Sequence, residues 1–222
     1  MEFFKRSLIA FALFPLFSLA QANYKPGYAV TLKGDTLRGF IDFREWDKTP
    51  TTINFKSSEN DKIIKLSVQN IKYFSIGDAA EYYRYAGIIT TDPINPDKMI
   101  SERDTSFRID TVFLELIQRG KSLALYSYSD HLKTRFYIGE SPDYTPTELG
   151  YRLYWDVDKS TTGRTVNEDT YQKQLFALAI KYNMLSDPLI KYIEESNYRE
   201  DHLIRIVGMI NNITKTKSKK KH

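Results

Sequence analysis

Six residues in this 222-residue chain have side chains suited to holding a ligand: Tyr126, Tyr128, Arg135, Tyr137, Arg152 and Tyr154. A tyrosine ring offers a flat apolar face with a hydroxyl at its rim, and an arginine offers a planar fork of donors. Together such groups stack on sugar rings or engage acidic groups. Their spacing gives them a common side. In the segments 122–128, 133–139 and 149–155 they alternate with Leu123, Leu125, Phe136, Ile138, Leu149, Leu153 and Trp155. A period of two marks a strand with two unlike faces. Three such strands paired as a meander would set an aliphatic inner face against a tyrosine–arginine outer face. Either that outer face binds a ligand or the C-terminal helices cover it, since tyrosine packs well against helices. The second arrangement is favoured.

Other residue types give weaker signals. Gly34-Asp35-Thr36-Leu37-Arg38-Gly39 resembles a phosphate loop only in its glycines. A phosphate cradle opens a helix, whereas here one strand pattern follows another, which predicts a hairpin. His131, His202 and His222 lie far apart in sequence, with no His-Glu-x-x-His spacing for a metal and no Gly-x-Ser-x-Gly for a nucleophile. Carboxylates are common, and a pair held ~5–9 Å apart could cleave a glycosidic bond. Sequence does not place such a pair. The expectation is a non-enzymatic protein with no cofactor and no metal site.

The elements that must position these residues follow from alternation and punctuation. Segments 27–32 and 36–43 read as a hairpin turned at Gly34, and Trp46–Pro50 reads as a loop. Ile53 and Phe55 mark a third strand, and 62–66, 72–76 and 81–85 mark further ones, with a turn at 67–70. Pro93 and Pro96 predict a long loop over 87–104, and Pro142 and Pro146 another over 141–147. Between them 111–118 begins the meander. After about residue 165 the period changes to that of helices. Tyr171, Leu175, Leu178 and Tyr182 form one stripe, Leu189, Ile190 and Ile193 follow an Asp187-Pro188 start, and Leu203, Ile206, Val207 and Ile210 follow an Asn197/Glu200 capping box. The predicted fold is therefore α+β: an antiparallel β-rich sheet or sandwich over 23–160, with three short helices over 165–212 packed on it.

The stretch from Asn23 to Trp46, with its Gly27-Tyr28-x-Val30-Thr31-x-x-Gly34-Asp35-Thr36-x-x-Gly39-x-Ile41-Asp42 pattern, is similar to the start of a family of uncharacterised exported proteins from Bacteroidota. The segment 171–211 resembles that family's helical region. The resemblance implies an envelope location and no known activity, so it assigns no catalytic residue. Some relatives carry a C-terminal outer-membrane β-barrel, whereas here a lysine tail follows the helices.

The start of the chain points the same way. Lys5 and Arg6 precede the apolar run 8–17, and Ala20-Gln21-Ala22 fits signal cleavage after Ala22 or Ala20. Residues 1–22 read as a signal peptide, too short and too interrupted by Pro15 to anchor the chain across a bilayer. Cysteine is absent, which excludes disulfides and lipid attachment through a thiol. Of the formal charge of +4, the tail 213–222 holds +5 and the leader +1, leaving the body at −2. The tail is expected to be disordered and solvated, with peripheral contact to anionic lipid or lipopolysaccharide as its functional alternative. The positive charge lies off the fold, so no nucleic-acid partner is expected.

The expected protein is exported to the periplasm, the outer membrane or the cell surface. It binds an envelope protein or a glycan through a sheet and the loops 87–104 and 141–147. An envelope-polymer hydrolase with paired carboxylates and an outer-membrane barrel are the alternatives.

Overall fold

The first hairpin forms where the alternation places it. A computed structural model describes residues 23–44, 46–95, 97, 100–156 and 164–212. In it β1 (Tyr24–Thr31) and β2 (Thr36–Asp42) pair antiparallel, and the chain turns through Gly34 at φ 101°. Gly27 and Gly39 face each other across the pair, and a Cβ on Gly39 would stand 2.1 Å from the Lys56 carbonyl oxygen. Only glycine lets the third strand approach that closely. The leader 1–22 and the tail 213–222 lie outside the described residues.

Eight more strands join that hairpin: β3 (Thr52–Lys56), β4 (Ile64–Ser67), β5 (Ile71–Ile76), β6 (Ala80–Thr90), β7 (Phe107–Arg119), β8 (Leu123–Ser129), β9 (Thr134–Glu140) and β10 (Thr145–Glu148). They make one ten-stranded antiparallel sheet in the order β10-β9-β8-β7-β6-β5-β1-β2-β3-β4. A separate ribbon pairs β11 (Arg152–Asp156) with β12 (Arg164–Glu168). Three helices follow: α1 (Thr170–Lys181), α2 (Asp187–Glu194) and α3 (Glu200–Ile210). The fold is α+β, a β-rich body with a C-terminal helical lobe.

Three cores divide the sheet. One side of β1–β6 gathers Ala29, Ile41, Ile53, Phe55, Phe74 and Tyr82, closed by the edge of Trp46 against Phe43, Phe74 and Tyr82. On the same side further along, Leu123, Leu125, Phe136 and Ile138 meet Leu175, Ile193, Leu203, Ile206 and Val207 of the helices. Each fully buried aliphatic side chain there stabilises by about 1.5–3 kcal/mol. The opposite side of β6–β9 holds a third core of Ile89, Val112, Leu114, Ala124, Tyr126, Tyr128 and Tyr137. Here the sheet rolls on itself, bringing Tyr85 of β6 to 5.2 Å from Tyr137 of β9, ring to ring. Thr90 at the end of β6 donates to the Glu148 carboxylate on β10. Among the described residues backbone pairing stays open, with β4 and β10 as the two edges.

Several sequence expectations need correction. Strand continues through 87–90 and resumes at 107, so the proline loop is shorter than 87–104. Thr91 N–H donates to the Ser106 carbonyl and closes it. Pro146 does not keep 141–147 wholly irregular, because it lies in the edge strand β10, where a missing N–H is tolerated. The segment 149–155 is not the third strand of the meander; β10 takes that place and Arg152–Asp156 leaves for the ribbon. Leu149 stays in the helix-covered core, whereas Trp155 is exposed. The Asn197/Glu200 capping box does not form. Arg199 precedes the first helical residue, and the Asn197 N–H donates instead to Nδ1 of His202. Likewise Ser186, not Asp187, occupies the cap of α2, with Pro188 in its first turn.

Candidate functional site

Four of the six residues singled out by spacing do come together. Tyr126 and Tyr128 on β8 and Arg135 and Tyr137 on β9 share one side of the sheet, with Tyr126 directly opposite Tyr137 and Tyr128 opposite Arg135. Arg152 and Tyr154 do not join them, since both lie on the ribbon. Arg152 donates there to the Asp104 carbonyl at 3.1 Å and pairs with Glu168 at 3.4 Å. Nor do the helices cover the tyrosine face as expected; they sit on the aliphatic face behind it. The roll of β6–β10 closes the tyrosine face instead, and Arg135 and Tyr137 are 0% exposed. These four residues are core, out of reach of a macromolecular ligand.

The groups around them fit that role. Arg135 donates to the carbonyls of Thr90 (2.6 Å) and Lys133 (3.0 Å) and pairs with Asp130 at 3.1 Å. Arg108 joins the same carboxylate at 3.2 Å and donates to the Tyr128 hydroxyl at 2.9 Å. Burial pushes the Asp130 carboxyl up, but the backbone N–H groups of Leu132 and Lys133, together with Arg135, outweigh it and bring it down to about 2. Lys133 and Asp92 face each other at 2.8 Å, both almost fully buried, as an ion pair rather than an aligned hydrogen bond. Burial holds the Lys133 ammonium below its ordinary range, against the pull of Asp92. Desolvating two buried charges offsets much of their attraction, so the pair is weak evidence for stability, whereas removing one partner leaves an uncompensated charge.

The same sheet face carries a second row of tyrosines that the spacing argument missed, and this row reaches solvent. Tyr28 on β1, Tyr73 on β5 and Tyr83 on β6 stand side by side, with ring centroids 5.5 Å and 4.7 Å apart, and Tyr126 follows Tyr83 at 5.8 Å. Register places them there: Tyr73 opposes Tyr83, and Val30, two residues from Tyr28, opposes Tyr73. All three are half-buried. Their hydroxyls form a chain. Tyr28 donates to Tyr73, and Tyr73 and Tyr83 both donate to one oxygen of Glu81, at 3.2 and 3.1 Å. Burial first, and then the neighbouring Tyr28 hydroxyl and Glu81 charge, raise the Tyr73 phenol well above its ordinary value. Burial raises the Tyr83 phenol as well, so Tyr73 and Tyr83 stay neutral and donating at physiological pH.

An arginine stands at each end. Arg38, opposite Tyr28 in the β1–β2 register, lies 5.9 Å from that ring. Arg119 lies 5.0 Å from both Tyr83 and Tyr144 and donates to the Tyr126 hydroxyl. A bulge in β7 puts it there. Leu116 opposes Tyr126, but the next paired residue is Gln118, so Arg119 comes to face Ala124 on the tyrosine side. Strict alternation would have sent Arg119 toward the helices. Among the described residues neither Arg38 nor Arg119 has a carboxylate partner.

The arrangement offers flat apolar rings at strand spacing, hydroxyl donors, one acceptor carboxylate and two arginine forks. Among the described residues no three His, Asp or Glu converge as a metal site. The detectable signal in sequence was a tyrosine in each of three separate strand patterns, but its meaning needed their pairing. Set against models of protein families, curated proteins and solved structures, the chain matches none of them.

Proposed function

We propose that this chain is an exported, non-enzymatic cell-envelope protein that binds a glycan on the Tyr28–Tyr73–Tyr83 face. The supporting observation is that face itself: three half-buried rings in a row, hydroxyls oriented by Glu81, and an arginine at either end. Amphipathic rings give large contact area at low conformational cost, and the polar groups around them set orientation. Export rests on the leader motif and on the resemblance of residues 23–46 to exported proteins, and a periplasmic or surface location follows from it. Among the described residues no helix is long and apolar enough to cross a membrane. A lipid-spanning barrel needs a sheet closed on itself, and among the described residues this sheet ends on β4 and β10.

Saturable binding of the purified protein to envelope extract, lost on Tyr73→Ala plus Tyr83→Ala, tests the face. Binding untouched by that pair would remove it. Cell fractionation with protease shaving tests the compartment.

A protein partner is the second reading, and one observation favours it. Ile88 and Ile109 oppose each other on the outer end of the β6–β7 pair, Ile109 is 80% exposed, and Phe107 stands beside them. Contiguous exposed apolar side chains of this kind mark contact surfaces. Loss of a cross-linked partner on Ile109→Ser would support it, and unchanged cross-linking would dismiss it.

A further inference from the structure

The Tyr28–Tyr73–Tyr83 row has a charge pattern that narrows its ligand. From the row geometry and its unpaired arginines we infer that the ligand is an anionic sugar chain, lying across the strands with its negative groups held by Arg38 and Arg119. This inference deepens the glycan reading above and rests on it.

Three observations lead to it. First, the three rings of the row, Tyr28, Tyr73 and Tyr83 on the neighbouring strands β1, β5 and β6, repeat at 5.5 and 4.7 Å. That repeat is the strand spacing of a sheet, and it is close to the length of one sugar unit in an extended chain. A row perpendicular to the strands thus offers successive sugars successive rings. Second, Arg38 and Arg119 are exposed, and neither is neutralised by a carboxylate among the described residues. Arg84 likewise has no carboxylate partner among the described residues, but it donates to the Val68 carbonyl, and three other arginines are neutralised. Arg44 pairs with Asp42, Arg103 with Glu168, and Arg108 with Asp110 and Asp130. Two forks free of carboxylates at the ends of one aromatic row are a complement for separated anionic groups. Third, Arg119 is held in place before any ligand arrives. It is sandwiched between Tyr83 and Tyr144, and Tyr144 is itself fixed by donating to the Gly120 and Lys121 carbonyls. A pre-set fork loses less freedom on binding.

Glu81 sets a limit on the same picture. It sits at mid-row and accepts from Tyr73 and Tyr83. An anionic group centred there would be repelled, so the middle sugars present hydroxyls to Glu81 and the charged groups fall toward the ends. An arginine fork accepts carboxylate and phosphate alike. The shared chemistry is therefore an anion on a sugar, and its source is a matter for the experiment.

The experiment is isothermal titration of the full-length purified protein with three probes: oligogalacturonate, carrying carboxylates; a phosphorylated mannan fragment, carrying phosphates; and a neutral xylo-oligosaccharide. The expected result is tighter binding of one or both anionic probes than of the neutral one, weakening steeply with added salt. Arg38→Gln and Arg119→Gln should each weaken the anionic probe about tenfold, the loss of one charge-assisted contact, and leave the neutral probe unchanged. Both residues are exposed, so each variant should stay folded, which its melting curve checks. Arg119→Lys keeps charge without the fork and should recover part of the loss. Preference for the carboxylated or the phosphorylated probe identifies the source. Equal binding of all three probes, insensitive to the arginine changes but lost on Tyr73→Ala plus Tyr83→Ala, overturns the anionic inference and leaves the glycan face standing. No binding of any probe overturns both.

Discussion

Tyr73 and Tyr137 stand on the same side of one continuous sheet, yet one meets solvent and the other is sealed. The path between them is unbroken: Tyr73 opposes Tyr83, Leu116 opposes Tyr126, and Tyr126 opposes Tyr137. What changes along it is curvature. Over β1–β5 the sheet folds its other side inward around Phe55 and Phe74 and turns the tyrosines out. Over β6–β10 it rolls the opposite way, brings Tyr85 onto Tyr137, and leaves its outer side for the helices. The strands β6 and β7 serve both halves, Tyr82 and Phe113 facing one core and Tyr83 and Leu114 facing, or packed against, another. Residue type alone therefore does not separate a binding tyrosine from a core tyrosine. The sense of curvature does.

That contrast is open to direct attack, most strongly in the sealed half. Lys133→Met leaves Asp92 buried without a cation and should cost about 3–5 kcal/mol in urea unfolding. Adding Asp92→Leu to it should recover much of the loss. Tyr137→Ala should cost a similar amount, about 3–5 kcal/mol, by opening a cavity in the roll. Tyr73→Ala on the open half should cost about 1 kcal/mol or less in the same assay. Equal losses at Tyr73 and Tyr137 would erase the distinction between the halves.

The attachment of the helices gives an intermediate effect. The Asn211 side chain accepts from the Ser122 and Leu123 N–H groups and donates to the Leu123 carbonyl, tying the end of α3 to the β7–β8 turn. Asn211→Ala should lower stability by about 1–3 kcal/mol through the unmet backbone groups. An unchanged melting temperature would show that the turn is held by other contacts.

A pH dependence follows from Asp130. Its carboxyl lies at about 2 when folded, below its ordinary value of 3.8, because backbone N–H groups and Arg135 outweigh the opposing effect of burial. A depressed carboxyl contributes stability in full above its unfolded value and loses it as pH falls through the folded one. The protein should therefore weaken between roughly pH 4 and pH 2, and Asp130→Asn should flatten that part of the profile. The smallest change belongs to the open row. Tyr73→Phe removes one hydroxyl from the Glu81 chain and should shift stability by only about 0.5 kcal/mol, the low end for a hydrogen bond that water can replace.

Much of the fold was legible in the residues. The first hairpin was readable because Gly34 and the alternation around it are local signals. The helix stripes of α1, α2 and α3 were readable because a 3.6-residue period needs no knowledge of the rest of the chain. The aliphatic positions Leu123, Leu125, Phe136 and Ile138 were rightly read as one inner face. The strand ends near 87–90 and the edge strand at Pro146 were not legible, because proline rules out only the pairings that need its N–H. Neither was the ribbon holding Arg152 and Tyr154, since alternation marks a strand without naming its partner.

Local residue chemistry thus determined the class of this protein, antiparallel strands followed by three amphipathic helices, and supplied tyrosines and arginines on alternating positions. Tertiary structure alone decided which tyrosines face water. Strand order, the bulge that turns Arg119 onto the tyrosine side, and the opposite curling of the two halves all depend on contacts between residues far apart in the chain. A period of two says that a side chain has a face. Only the packing of the whole sheet says what lies against it.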